Sequence, residues 1–454
     1  MSYGEALGPP RREAPQPTRT PLTRDTSILG AGVTGLAAGW ASGLPIYEAA
    51  GAPGGICSSY YVRPGDRERL AQAPADGDAY RFEIGGGHWI FGGDPLVLDF
   101  LRGLVPLAPY ERRSSVYFPE DGRRVPYPLQ NHLYALERDV ASRALAEMAR
   151  PDAGRVVTMR DWLLASFGPT LCERFFFPFH ALYTAGLYEE IAPQDSYKSP
   201  VDLALAIRGA FGAPPAVGYN TTFLYPEPGL DALARALAAR STVHYGRRVE
   251  KIDVASRSLQ FADGSQLGYE RLLSTLPLSR MLDLCGLSLP ERAHPSSGVL
   301  VLNLGARRGA RCPDDHWLYV PRSRSGFHRV GFYSNVDASF LPRSARRDRD
   351  RVSIYVERAL HAPLEGRALA AYCADVAGEL AEWEMIGAVE ASDPTWIDVA
   401  YTWSWPGSRW REAAIAALEA HGILQIGRYG RWTFQGIADS VRDGLYAGAA
   451  HRTR

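Results

Sequence analysis

The chain has 454 residues, too many for one hydrophobic core, so two or three intertwined domains are expected. Lys+Arg and Asp+Glu are 50 each, so the formal net charge is zero; this excludes a nucleic-acid coat and a polybasic membrane patch and leaves any anionic ligand to a local cluster of cations. Only Lys198 and Lys251 are lysines, and the five cysteines form no C-x-x-C pair, so no metal site or disulfide framework is expected and a reducing cytoplasm fits. No apolar run approaches the roughly 20 residues of a membrane span.

Residues 1–24 are rich in Pro and Arg without an apolar stretch, which reads as a disordered tail rather than a signal peptide. Residues 26–29 follow as a strand, 30–35 as a tight turn, 36–42 as a helix and 44–47 as a second strand, the opening unit of a doubly wound sheet. Amphipathic helices are expected between 96 and 225, for instance 133–150 and 157–167, with a Gly/Pro-rich mobile loop at 209–218. Strands return at 241–254, 258–262 and 271–274, then at 299–305 and 317–333. A helix-rich stretch precedes a strand at 423–427 and a terminal helix at 438–449. The reading is an α/β protein with a Rossmann-like domain split over 25–105, 225–298 and 418–452. A helical substrate or lid region (106–224) and a β-rich substrate domain (299–417) are inserted between the pieces.

Gly30-Ala31-Gly32-Val33-Thr34-Gly35 sits between strand and helix, as a dinucleotide fingerprint requires. Gly30 permits the turn, Gly32 lets backbone approach a pyrophosphate, and Gly35 lets the helix pack on the strand; Val33 and Thr34 open the helix, whose N-terminus then faces the phosphates. Glu48, followed by Ala49, ends the second strand 18 residues after Gly30, placed to accept from ribose hydroxyls. Gly54-Gly55-Ile56-Cys57 supplies backbone N–H groups for a second phosphate and a ribityl chain, an element that an NAD site does not need. These residues point to FAD. Gly85-Gly86-Gly87-His88 lets backbone lie on an isoalloxazine ring with His88 beside it. Val249, on the β stretch expected over 241–254, is also taken as cofactor-binding. Gly427-Arg428 and Trp432 lead into a helix whose N-terminus, Ile437 to Ser440, would stabilise negative charge at flavin N1/O2. No G-x-S-x-G, H-E-x-x-H or P-loop is present, so the chemistry is expected to be the cofactor's.

The fingerprint, the Gly54-Gly55 element, the split domain and the terminal Gly427-Arg428 resemble the amine-oxidase and UDP-galactopyranose mutase superfamily. Several segments are most similar to the mutases. Gly86-Gly87-His88-Trp89-Ile90-Phe91 resembles their Gly-Pro-His-Ile-Phe-His segment, which sets a His beside the flavin. Tyr183 resembles the Tyr that stacks on the nucleobase, with Tyr188 the aromatic after it. Phe223-Leu224-Tyr225-Pro226-Glu227-Pro228-Gly229 resembles their Tyr-Pro-x-Gly-Gly turn, and His328-Arg329-Val330 their Thr-Arg-Ile, whose Arg grips the substrate diphosphate. The chain departs from the pattern where Lys198 replaces a second diphosphate Arg, Phe434 a Tyr and Gly436 an Asp.

The resemblance implies a nucleotide-sugar mutase that interconverts pyranose and furanose forms of a UDP-, GDP- or dTDP-hexose, in antibiotic or polysaccharide biosynthesis. Reduced FAD would attack the anomeric carbon through N5, an external reductant such as NAD(P)H would reduce it, and a homodimer is one expected state. Arg329 and Lys198 would hold the diphosphate, Tyr183 the base, His88 the flavin side, and Tyr401 a phosphate oxygen. The alternative is an oxidase or desaturase of amine-oxidase type, with Trp403, Trp405 and Trp432 as an aromatic cage. A third reading, a non-catalytic binding protein like the Rab GDP-dissociation inhibitors, is disfavoured by the intact glycine fingerprint.

Overall fold

The computed structural model describes residues 24–150, 154–194, 201–214 and 221–452. The expected tail (all but Arg24), Lys198 and part of the 209–218 loop lie outside them, and 209–211 close a helix, Leu203–Phe211.

Two seven-stranded sheets organise the chain. In the first, five strands run parallel in the order Ile423–Gln425, Gln266–Ser274, Arg24–Leu29, Ile46–Tyr47 and Val243–His244, and Val249–Asp253 and Ser258–Phe261 extend it as an antiparallel flap. Registers place Leu29 opposite both Tyr47 and Ser274, and Ser274 opposite Gln425. Four carboxyl ends therefore finish at one edge, where a parallel sheet opens its ligand crevice. The helix Val33–Ser42 covers this sheet and packs along the C-terminal helix Ile437–Ala450. Glycines make that approach possible: a Cβ on Gly444 would lie 2.1 Å from the Thr34 carbonyl oxygen.

The second sheet runs in the order Ile386–Thr402, Ser296–Arg308, Arg351–Leu360, Arg329–Phe332, Trp317–Tyr319, Ser114–Phe118 and Arg123–Pro126. Its pairs are antiparallel except Trp317–Tyr319 with Ser114–Phe118. A third core lies among the helices Arg138–Met148, Met159–Leu171, Phe177–Tyr183 and Leu203–Phe211, filled by Phe167, Phe175, Phe176 and their neighbours.

The elements differ from expectation in four places. The stretch 106–224 carries strands as well as helices: Ser114–Phe118 and Arg123–Pro126 join the second sheet, and Leu107–Glu111 pairs with Thr222–Pro226. All five residues of Ser114–Phe118 are buried, so no polar alternation marks that strand. The stretch 317–333 is two short strands around a turn rather than one run. Within 299–417, the helix Trp410–Glu419 sends Trp410, Ala414 and Leu418 into the core beneath the first sheet. The strand expected over 423–427 ends at Gln425, and Gly427–Gly430 forms a turn of helix.

Candidate functional site

The crevice at the carboxyl edge of the parallel sheet continues along the face of the second sheet as one cleft of about 580 Å³. At the sheet edge, Gly30 turns the chain with φ +93°, and a Cβ there would strike the Thr275 hydroxyl at 2.2 Å. A Cβ on Gly35 would meet the Gly30 carbonyl oxygen at 1.9 Å, so helix and turn touch through bare backbone. At Gly32 a Cβ would meet nothing within 4 Å, because the residue faces open cleft. The helix Val33–Ser42 has no side-chain cap, which leaves its first N–H groups directed at whatever the cleft holds. Gly54 donates to the Ala31 carbonyl at 2.8 Å, which fixes the Gly54-Gly55 loop beside this turn. Glu48 lies on the wall, accepting from the backbone N–H of Ala31 (2.6 Å) and Ala50 (2.7 Å).

The C-terminal helix is likewise uncapped at Gly436, and its first residues Ile437 and Ser440 line the same cleft. Two unsatisfied helix N-termini facing one space fit a dinucleotide with negative charge at two places: a pyrophosphate at Gly32 and the pyrimidine end of a reduced flavin at Ile437. Gly30, Gly32, Val33, Thr34, Glu48, Ala49, Gly54, Gly55, Ile56, Cys57, Gly87, His88, Val249, Gly427, Arg428, Ile437 and Ser440 all line the cleft, and Gly35 supports it from behind. Trp432 does not reach it: that ring is 3 % exposed, donates to the Trp403 carbonyl at 3.1 Å and packs edge-on against Trp410.

At the other end, His88, Tyr183, Arg329, Tyr401 and Phe434 converge. Arg329, on the strand Arg329–Phe332, faces Glu357 of its neighbour, to which it is directly cross-strand, with Nη1 at 3.5 Å from the carboxylate. Burial by itself would raise the Glu357 carboxyl, but Arg329 first and then His328 hold it down at about 2. Tyr401 donates to the same carboxylate at 3.3 Å. The Arg329 Nε has no hydrogen-bond partner among the described residues, so the guanidinium keeps donor capacity for a ligand. Tyr183 stands 4.7 Å from Tyr401, ring centre to ring centre, and Tyr319 and Tyr127 complete an aromatic wall. Arg428 lies over the Phe434 ring at 4.6 Å and donates to the carbonyls of Ala400 and Gln435. Tyr188 is not on the cleft: it is buried in the helical core and its hydroxyl donates to Glu189. Of the three tryptophans expected as a cage, none lines the cleft; Trp403 is buried behind Tyr183, and Trp405 lies under the Arg292 guanidinium in a separate groove.

Burial pulls the His88 imidazole down to about 4, with Arg428 and Arg329 adding to the shift and Glu357 opposing it. His88 is therefore neutral at pH 7, and its Nδ1 has no hydrogen-bond partner among the described residues. A histidine depressed in the folded state takes up protons on unfolding, so stability is lost as pH falls from 6.5 towards about 4. In a His88→Gln variant, thermal melts of the flavin-free protein are expected to fall less steeply over that window; an unchanged slope would mean that His88 is not the buried base described.

Sequence reasoning missed Glu357, Tyr319, Tyr127 and Arg280 on the cleft wall. Glu357 carries a readable signal only after the strand pairing is known, since it lies 28 positions from Arg329 in the chain.

Residues 38–332 match the family described as flavin containing amine oxidoreductase. The chain belongs to that family. It is thus a flavoenzyme of the amine-oxidase superfamily, and the residues at the sheet edge are those that would hold FAD. Among solved structures, reduced UDP-galactopyranose mutase is similar at 20 % identity and TM-score 0.79, over 94 % of this chain and 95 % of that one. A protein from Exiguobacterium sp. 255-15, provisionally named a protoporphyrinogen oxidase, is similar at 14 % identity and TM-score 0.67, over 94 % and 98 %. Putrescine oxidase bound to putrescine is similar at 15 % identity and TM-score 0.55, over 94 % and 98 %. At these identities the likenesses establish the shared fold and leave the reaction to the residues of the cleft. No helix among the described residues is long and apolar enough to cross a membrane.

Proposed function

We propose that the chain is a nucleotide-sugar mutase that interconverts the pyranose and furanose forms of a nucleoside-diphosphate hexose on reduced FAD. The observation that carries the reading is Arg329: a cation on the wall of the reactive end, with an unpartnered Nε, set among Tyr183, Tyr319 and Tyr401. A guanidinium flanked by aromatic rings fits a diphosphate joined to a planar base, and fits an amine poorly. The likeness to UDP-galactopyranose mutase supports the same reading at the level of the fold.

Bound reduced flavin supplies a nucleophile for the anomeric carbon. The protein's own residues do the rest. Arg329 donates to the diphosphate and stabilises the charge it gains as it leaves; Glu357 holds that guanidinium in place at 3.5 Å. Tyr401, already within 3.3 Å of Glu357, offers its hydroxyl beside the same phosphate. Tyr183 provides a face for the base. Neutral His88 accepts or donates a single hydrogen bond beside the ring without adding charge. Phe434 leaves the diphosphate with one hydroxyl fewer than a tyrosine would give.

One observation favours a second reading, an amine-oxidising flavoenzyme: Glu357 keeps an ionised carboxylate at the reactive end, the group that would hold an ammonium. Incubating the purified protein with UDP-, dTDP- and GDP-hexoses separates the two. Furanose products that form only with dithionite or NAD(P)H present are expected. Turnover of an amine with peroxide release and no added reductant would replace the mutase reading with the second.

A further inference from the structure

Behind the cofactor loops lies a buried carboxylate that neither reading uses. Glu83 ends the strand Tyr80–Glu83, is 0 % exposed, and stands cross-strand to Ser59 of Ser59–Val62. Ser59 Oγ donates to both of its oxygens at 2.9 and 3.0 Å, and the Tyr225 hydroxyl makes a further, short hydrogen bond to it. Its carbonyl accepts from Gly86 N–H and from Asn303 Nδ2. These bonds join two loops that line the cleft to a third segment behind them. Ser59 follows the Gly54–Cys57 element, Glu83 precedes Gly85–His88, and Tyr225 opens the turn to Gly229.

We propose that the Glu83 carboxylate is a positioning residue for the bound flavin, clamping the two cofactor loops together in its ionised form and loosening them when protonated. The geometry gives the sign. Both hydroxyls donate to Glu83, which suits an acceptor-only carboxylate; a proton on Glu83 turns one of these contacts into donor facing donor unless that hydroxyl swings away. Ser59 Oγ is the less free to swing, because it also accepts from the Asp231 N–H at 3.4 Å.

Burial raises the Glu83 carboxyl to about 7, with Asp231 adding to the shift and Arg81, Tyr225 and Ser59 opposing it, so the clamp changes state near neutrality. The groups that face it are Arg81 on its own strand, Ser59 and Tyr61 on the paired strand, Tyr225 on Thr222–Pro226, Asp231 on the helix Leu230–Ala238, Tyr333 on Tyr333–Val336, and Cys57. Arg81 in turn feels Asp337, and Asp231 is paired with Arg235 at 2.6 Å. Burial pushes the Cys57 thiol up to about 12 and raises the phenols of Tyr61, Tyr225 and Tyr333, and His88 titrates near 4. None of these changes charge between pH 6 and 8, nor does the FAD diphosphate.

The inference rests on flavin binding alone and stands or falls independently of the sugar-nucleotide panel. The flavin-loaded protein is diluted at pH 6, 7 and 8, and released FAD is read by its fluorescence. The dissociation constant of the unaltered protein is expected to rise about tenfold from pH 8 to pH 6, the order of one hydrogen bond to a charged acceptor. Glu83→Gln, an isosteric group that does not titrate, is expected to show the weaker affinity at every pH with the step gone. Glu83→Asp is expected to keep the step. Tyr225→Phe removes a bond that lowers the Glu83 carboxyl, and is expected to move the midpoint to higher pH. A Glu83→Gln protein that retains the step, or that matches the unaltered protein at pH 8, overturns the proposal. If that variant does not fold, a Tyr225→Phe midpoint that stays in place does the same.

Discussion

Replacing Arg329 with alanine is expected to lower kcat/KM for a nucleoside-diphosphate hexose by about 10²- to 10³-fold while FAD stays bound. Two losses add. The diphosphate loses its cation, and Glu357, 4 % exposed, loses the partner that keeps its carboxylate ionised inside the protein. Removing one preorganised donor to developing negative charge costs about 10²- to 10³-fold in rate, and breaking a buried pair by removing one partner costs about 3–5 kcal/mol of folding stability. The same truncation shifts an acid limb. In the unaltered protein Glu357 is held at about 2 against an ordinary 4.5, so it contributes stability that is present above pH 4.5 and disappears as pH falls towards about 2. Without Arg329 that contribution shrinks, and the variant is expected to melt lower at neutral pH. Arg329→Lys restores charge without the planar fork and is expected to recover activity only in part. Steady-state kinetics beside a visible spectrum checks the set. A colourless Arg329→Ala protein would move that residue from the substrate to the cofactor.

Gly32→Val is expected to give a folded protein that carries no flavin, and the contrast with Gly35→Ala isolates the reason. Gly32 has φ −67° and ψ 173°, an extended conformation open to any residue, and a Cβ there meets nothing within 4 Å. The flavin-free fold should therefore accept valine at about 1 kcal/mol, the order of cost of an apolar residue at a helix N-cap. The added methyls fill the space where backbone approaches the pyrophosphate, so flavin absorbance near 450 nm should disappear, a wavelength set by the isoalloxazine ring and not by this protein. Gly35→Ala places its methyl 1.9 Å from the Gly30 carbonyl oxygen, a backbone atom that cannot turn aside. There the strand–turn–helix unit itself is forced apart, at about 1–3 kcal/mol or more, and the melting temperature should fall before any ligand is added. Retained flavin in Gly32→Val would mean that the pyrophosphate lies elsewhere along the helix.

Much of the cofactor half was legible along the chain because its determinants are local. A turn at φ +93° needs Gly30, a touching helix and strand need Gly35, and an acidic residue one strand later needs only spacing. The strand 26–29, the helix after it and the terminal helix were read for the same reason. The strands Ser114–Phe118 and Arg123–Pro126 were not, because they close one end of a sheet whose other strands lie some 200 residues on; burial of all of Ser114–Phe118 erases the alternation that marks a strand, and Arg123–Pro126 is a four-residue edge strand. Trp432 and Tyr188 misled for the converse reason. Each sits near a motif in the chain, but Trp432 turns into the core beneath the first sheet and Tyr188 into the helical core, where large rings bury most area.

What the sequence determined by itself is the strand–turn–helix unit at the crevice and the helix N-terminus left without a side-chain cap at Gly32, since backbone conformation and helix capping are decided within a few residues. What only the tertiary structure decided is the reactive end. The pairing of Arg329 with Glu357, the contact of Tyr401 with that same carboxylate, and the bonds from Ser59 and Tyr225 to Glu83 join residues 24 to 142 positions apart. Such contacts follow from strand register and from which strand lies next to which, and those are set by burial of whole faces rather than by any local motif.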